Sequence, residues 1–150
     1  MTVGLGDGTI VVWSIETETQ LNRFKRKCRG IGVFHHDPVV CLSFGKPDTI
    51  MSGTLISTSY DKECQIKDKT TGQLLHVLKH DSEYSNFDLN STGTLLAICH
   101  LKGVSIWSCK TMNKIGEIEI GIVTDVRFNT DSTRLISLKE TGEIYCTELK

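Results

Sequence analysis

The sequence predicts an all-β protein built from repeated units of four short antiparallel strands. Three observations predict it. Apolar residues recur two apart rather than at helical spacing, a strand pattern returns at a constant interval of 40 residues, and Gly-containing turns separate the runs. No window carries a sustained apolar stripe of period 3.6 bounded by capping residues, so almost no helix is expected.

The repeat is read from the centre outward. Thr54-Leu55-Ile56, Thr94-Leu95-Leu96 and Arg134-Leu135-Ile136 fall 40 residues apart without gaps. Thirteen positions after the first residue of each stand Lys67, Trp107 and Thr147, each with apolar residues one and three before it: Ile66 and Cys64, Ile106 and Val104, Cys146 and Ile144. An earlier unit ends the same way in Ile10, Val12 and Trp13. These are strands with one buried face. Upstream in each unit lies another strand, Val40-Leu42-Phe44, Phe87-Leu89 and Val126-Phe128, followed by turn formers such as Lys46-Pro47-Asp48 and Asn90-Ser91-Thr92-Gly93. A fourth is marked by Leu21 and Phe24, Leu75 and Leu78, Ile115 and Ile118. Tight turns at Asp7-Gly8, Lys102-Gly103 and Thr141-Gly142 join the second and third strands, where glycine supplies a positive φ at little steric cost. The units run over 1–25 (partial), 36–79, 80–120 and 121–150 (partial).

On these residues the chain resembles the WD40-repeat β-propeller family along essentially its whole length, with degenerate repeats. The family pattern runs from a Gly-His at the blade entry, through a Ser or Thr and an Asp, to a Trp-Asp that closes the third strand. The second unit supplies His36, Ser57 and Asp61, with Lys67 where Trp is expected. The first supplies Asp7 and Trp13, the third His80 and Trp107 with Leu101 or His100 in place of the Asp, and the fourth Ser137 with Thr141 and Thr147. The resemblance implies that His36, Ser57, Asp61, Trp13, Asp7, His80 and Trp107 are structural, blade-closing residues that form a hydrogen-bonded chain within each blade and bind no ligand. It also implies an incomplete propeller of about three to four blades. The open edges would be covered by further blades of a longer propeller, by another chain, or by the two partial blades combining.

The first junction is the longest: Trp13 to Phe44 spans 31 positions, against 22 from Lys67 to Leu89 and 21 from Trp107 to Phe128. The inserted stretch carries Lys25, Arg26, Lys27 and Arg29 before Gly30-Ile31-Gly32, and in the family the matching loop lies on a face that commonly binds partners. A basic loop over 23–29 suits RNA phosphates or an acidic or phosphorylated peptide, because Lys and Arg give charge-assisted hydrogen bonds to anions. A solvated loop is the plainer reading. A second insertion, from Gly45 to Gly53, reads as surface variation.

Other chemistries find little support. With 17 basic and 18 acidic residues the net charge is −1, so no overall field draws nucleic acid or an anionic membrane. No apolar run reaches the ~18 residues needed to cross a bilayer, and the first residues do not read as a signal peptide, so none is expected. The six cysteines lack CxxC spacing and read as reduced, mostly buried thiols. His76 and His80 are four apart, which on a strand separates them by ~13 Å, too far for one metal. Gly4 to Gly8 lacks the Lys-Ser/Thr of a phosphate-binding loop, and no GxSxG elbow occurs. The expectation is a non-catalytic protein–protein interaction scaffold without cofactor or metal, its partners other proteins, a second copy or the remainder of a larger propeller. RNA or acidic-peptide binding through the basic loop is the alternative. Its expected location is cytoplasmic, with the nucleus as the alternative.

Overall fold

The computed structural model describes residues 1–24 and 35–149. Among them are strands, turns and bends and no helix. The first sheet holds β1 (Thr2–Gly4), β2 (Ile10–Trp13) and β3 (Gln20–Phe24). The second holds β4 (Val39–Phe44), β5 (Thr54–Ser59), β6 (Glu63–Asp68) and β7 (Leu74–Lys79). The third holds β8 (Tyr84–Leu89), β9 (Leu95–His100), β10 (Gly103–Ser108) and β11 (Asn113–Glu119), and the fourth β12 (Val123–Phe128), β13 (Arg134–Lys139) and β14 (Ile144–Glu148). Within each sheet every strand is hydrogen-bonded to its neighbours in sequence, so each sheet is an antiparallel meander.

The sheets stack face to face in chain order. Ile10 and Val12 of the first pack on Leu55 of the second. Ile56, Cys64 and Ile66 of the second meet Leu96, Ile98 and Trp107 of the third, and Ala97, Cys99, Val104 and Ile106 of the third meet Val126 and Leu135 of the fourth. The result is an open arc, an incomplete β-propeller. A central sheet is therefore covered on both faces, which is why all of β5 is buried although it reads Thr-Leu-Ile-Ser-Thr-Ser. In the last sheet one face is free: along β13 Leu135 and Ser137 are buried while Ile136 and Leu138 are exposed.

Two turns show how the sequence meets the backbone's demands. Gly8 (φ 77°) and Lys62 (φ 67°) occupy the same place in the β1–β2 and β5–β6 turns. Lys62 bears a left-handed conformation that costs an L-residue roughly 1–2 kcal/mol. At Gly8 a side chain is sterically excluded as well, because a Cβ would lie 2.3 Å from the His35 carbonyl oxygen. The insertion after β4 is more than surface variation: it folds back through Gly45 N–H to Thr54 O (3.0 Å) and drives Met51 into the core between the second and third sheets.

Lys67, at the position where the pattern wants Trp, is wholly buried and donates its ammonium proton to Gln65 Oε1. Burial pushes its pKa down to about 8, with neighbouring Cys64 and Asp61 opposing the shift.

Candidate functional site

The densest polar constellation lies at the entry of the second sheet. His35 Nε2 and Ser57 Oγ are 2.9 Å apart, and His35 Nδ1 lies 2.9 and 3.1 Å from the two Asp61 oxygens. Backbone N–H groups of His36 (2.8 Å) and Glu63 (3.0 Å) donate to the same carboxylate. Burial raises the Asp61 pKa, but the His35 hydrogen bond and charge, then the two backbone donors, outweigh it and leave the carboxyl below its ordinary value. The expected role of His36 therefore falls to its neighbour. His35 precedes the first residue of β4, Val39, by four, just as His80 precedes Tyr84 of β8, so counting from strand starts aligns His35 with His80 and turns the His36 side chain away.

A Ser–His–Asp chain has the connectivity of a nucleophilic triad. Here both Ser57 and the His35 side chain are sealed between strands, where no substrate carbonyl could approach the hydroxyl. The chain ties β5, the β5–β6 turn and the entry to β4 into one unit.

The other sheets carry this network in reduced forms. In the first, Asp7 repeats only the turn bond, accepting Thr9 N–H at 3.0 Å, and its pKa is lowered chiefly by Thr9. Trp13 does not close its blade. Trp107 donates its indole N–H to Ser105 Oγ at 2.9 Å, whereas the position two before Trp13 is Val11, which has no acceptor, and Trp13 is left 36 % exposed. In the fourth sheet Ser137 sits where Ser57 does, buried and with an unpartnered hydroxyl.

The third sheet is rewired. Its β9–β10 turn is shorter and has no Asp, and His80 Nε2 instead meets Glu117 Oε1 of β11 at 3.0 Å. His100, which the sequence offered only as a stand-in for that Asp, stacks on His80 with ring centroids 4.2 Å apart and brings its Nε2 to 3.6 Å from the same oxygen. These three side chains hold potential ligand atoms within 4.8 Å of one another, yet their hydrogen bonding argues against a metal. Ser82 N–H donates to His80 Nδ1 (3.1 Å) and Lys102 N–H to His100 Nδ1 (3.2 Å). His80 thus has Nδ1 beside Ser82 N–H and Asp81 Oδ1 (3.0 Å) and Nε2 beside Glu117, so a metal would have to displace partners the ring already holds, while His100 Nε2, 3.6 Å from Glu117, makes no hydrogen bond among the described residues. Lys114 binds the other Glu117 oxygen; this bond, opposed by burial and helped by His80, lowers the carboxyl pKa. Burial first, then the neighbouring His80, push His100 down to about 4.

A cavity of about 690 Å³ among the described residues lies where the first and second sheets meet. Met1, Trp13 and Leu21 form one wall, Phe44 and Pro47 the other, with Lys69 at the edge. The wall containing Pro47 is built by the second insertion, so that insertion shapes a groove. The expected binding residues Lys25, Arg26, Lys27 and Arg29 lie outside the described residues.

No protein-family model matches the chain, and no curated protein matches it. Among solved structures it is similar to the computationally designed Ika4 protein, with a TM-score of 0.79 at 20 % identity, covering 99 % of this chain and 84 % of that one. It is also similar to a chain in the mitotic checkpoint complex, with a TM-score of 0.81 at 22 % identity, covering 98 % of this chain. Only 44 % of that checkpoint chain is covered, so the present chain spans less than half its length. At these identities the likeness shows the fold: an all-β arrangement of β-propeller type.

Proposed function

We propose that the chain is a WD40-repeat propeller segment that acts as a non-catalytic scaffold for assembling protein complexes. The observation that carries the reading is the groove at the first and second sheets: aromatic and aliphatic side chains on a sheet framework, rimmed by polar residues, are the composition that protein interfaces favour at their cores. A structural neighbour within a protein complex supports the same reading. The sealed Ser57–His35–Asp61 chain supports a structural use of the one triad-like set. Five described cysteines are free thiols, which supports a reducing, cytoplasmic location; no described helix is long and apolar enough to cross a membrane.

The experiment is affinity capture followed by cross-linking mass spectrometry with the wild-type chain and a Phe44→Asp variant. Cross-links from Lys69 to captured proteins, lost in the variant while the β-rich circular dichroism persists, are expected. A chain that captures no protein at micromolar concentration would overturn the scaffold reading.

A further inference from the structure

The first strands of the second, third and fourth sheets, β4, β8 and β12, are joined to one another by a row of side-chain bonds. The Cys41 thiol donates to Asn86 Oδ1 at 2.9 Å, and Asn86 Nδ2 donates to Asp125 Oδ1 at 2.6 Å. Arg127 ends the row. Its Nη1 lies 3.1 Å from Asp125 Oδ1 and donates to the Val126 carbonyl at 2.9 Å and the Phe87 carbonyl at 3.4 Å. The guanidinium is thus pinned by a single nitrogen, while Nη2 and Nε hold no partner among the described residues and the side chain is 54 % exposed.

Beside this row a pocket of about 300 Å³ opens between β4 and β8, away from both ends of the arc. Leu42 and Leu89 give it apolar surface, and Lys46 and Arg127 give it two cations. Lys46 follows the last residue of β4 and Leu89 ends β8, so the pocket lies toward the opposite end of the strands from the His35–Ser57–Asp61 chain. The Lys46 ammonium donates to the Leu89 carbonyl, its one hydrogen-bond partner among the described residues, which leaves two of its three protons to spare. Asp88 also lines the pocket, and only its Oδ2 is engaged, by Phe128 N–H at 2.8 Å. Spare donors on two cations therefore face a spare acceptor on one acid.

We propose that this pocket receives the C-terminal residue of a partner chain. The α-carboxylate takes the Arg127 Nη2 and Nε fork and a Lys46 proton, the same residue's backbone N–H donates to Asp88, and an aliphatic side chain covers Leu42 and Leu89. A chain terminus carries the anion and the donor on one Cα, as the mixed lining requires. An internal Asp or Glu holds its carboxylate one or two carbons further from the backbone N–H. A phosphate brings more negative charge against Asp88. The size agrees: 300 Å³ is at the lower limit of ligand pockets, roughly 300–1,000 Å³, and suits one residue rather than a longer segment. Phe44 borders both this pocket and the groove of the scaffold reading, but Lys46 and Arg127 do not line that groove, so the two readings can fail separately.

The test titrates the isotope-labelled chain with the peptide Gly-Ser-Gly-Ser-Leu and follows backbone amide shifts by nuclear magnetic resonance. Saturable shifts centred on Lys46, Leu89 and Arg127 are expected, with a Kd of about 1 mM or tighter. The same peptide with an amidated C-terminus should bind at least about tenfold more weakly, and so should the free-acid peptide to Arg127→Gln or Lys46→Met, each of which removes a charge-assisted bond. The spectra themselves show whether the variants stay folded, and Lys46→Met carries the test should Arg127→Gln unfold. Two further titrants, an amidated Gly-Ser-Glu-Ser-Gly peptide and inorganic phosphate, should bind more weakly than the free-acid peptide. No saturable shift by about 10 mM, equal binding of the amidated peptide, or indifference to the folded variants would overturn the proposal. Equal binding of the Glu peptide or of phosphate would overturn it too, by showing a general anion site.

Discussion

The second and fourth sheets share a register and differ in how their polar positions are satisfied. In the second, Ser57 is bound to His35, and His35 to an Asp61 that also collects two backbone donors. In the fourth, Ser137 is equally buried but unpartnered, because Glu119 stands four residues before β12 where the second sheet has His35 before β4. A serine at the same register position is thus either a keystone or a burden, depending on a residue more than twenty positions away in the case of Ser57. The third sheet lies between the two, having kept the His and replaced its acidic partner.

The comparison is broken most forcefully at Asp61. Asp61→Ala strands a buried imidazole and two backbone donors and should cost about 3–5 kcal/mol, whereas Glu117→Ala, whose carboxylate is partly solvated, should cost about 1–2 kcal/mol by urea unfolding. Equal losses would mean that the two acids do equivalent jobs.

Acid should strike the third sheet through His100. Its folded pKa of about 4 lies below the unfolded value near 6.5, so between those limits the unfolded chain binds a proton that the folded chain does not. This group's contribution is complete above about pH 6.5 and is lost as pH falls toward 4, by on the order of 3 kcal/mol. Subtracting the urea midpoints of His100→Asn from those of wild type across this range isolates the effect; parallel curves would contradict it.

Lys67→Met should stabilise the protein by about 1–3 kcal/mol at pH 7, because it removes a buried ammonium whose hydrogen-bond partner among the described residues is the neutral Gln65 amide. Since the folded pKa of Lys67 is depressed to about 8, wild-type stability should also rise with pH above that value, and the variant should lack this rise. The smallest contrast is the most pointed. Ser57→Ala should cost about 1–2 kcal/mol, while Ser137→Ala should be neutral or stabilising by about 0.5 kcal/mol, since it deletes an unsatisfied hydroxyl.

Much of the fold was legible because its signal is periodic. The interval of 40 and the two-residue alternation mark strands that the structure contains, and the meander follows from turns too short for any crossover. The site was less legible. His35 and His36 are adjacent, and only the distance to the start of β4 separates them, an offset that the inserted junction obscures. Glu117 and His100 carry no motif: they meet because β9 and β11 flank the same strand, β10, a proximity visible only once the sheet is assembled. Trp13 misled because the sequence pattern takes a Trp as a blade-closing residue without asking whether the position two before it, here Val11, offers an acceptor. Met51 was hidden in an insertion with the composition of a surface loop.

Hydrogen exchange is the most direct test of the open, four-sheet arc, run at a concentration where light scattering finds monomer. Amides of β5 and β10, in sheets covered on both faces, should be the slowest, and those of β14, with one face bare, should exchange orders of magnitude faster. Uniform protection from β1 to β14 in the monomer would mean that the two end sheets are covered, and would contradict the account.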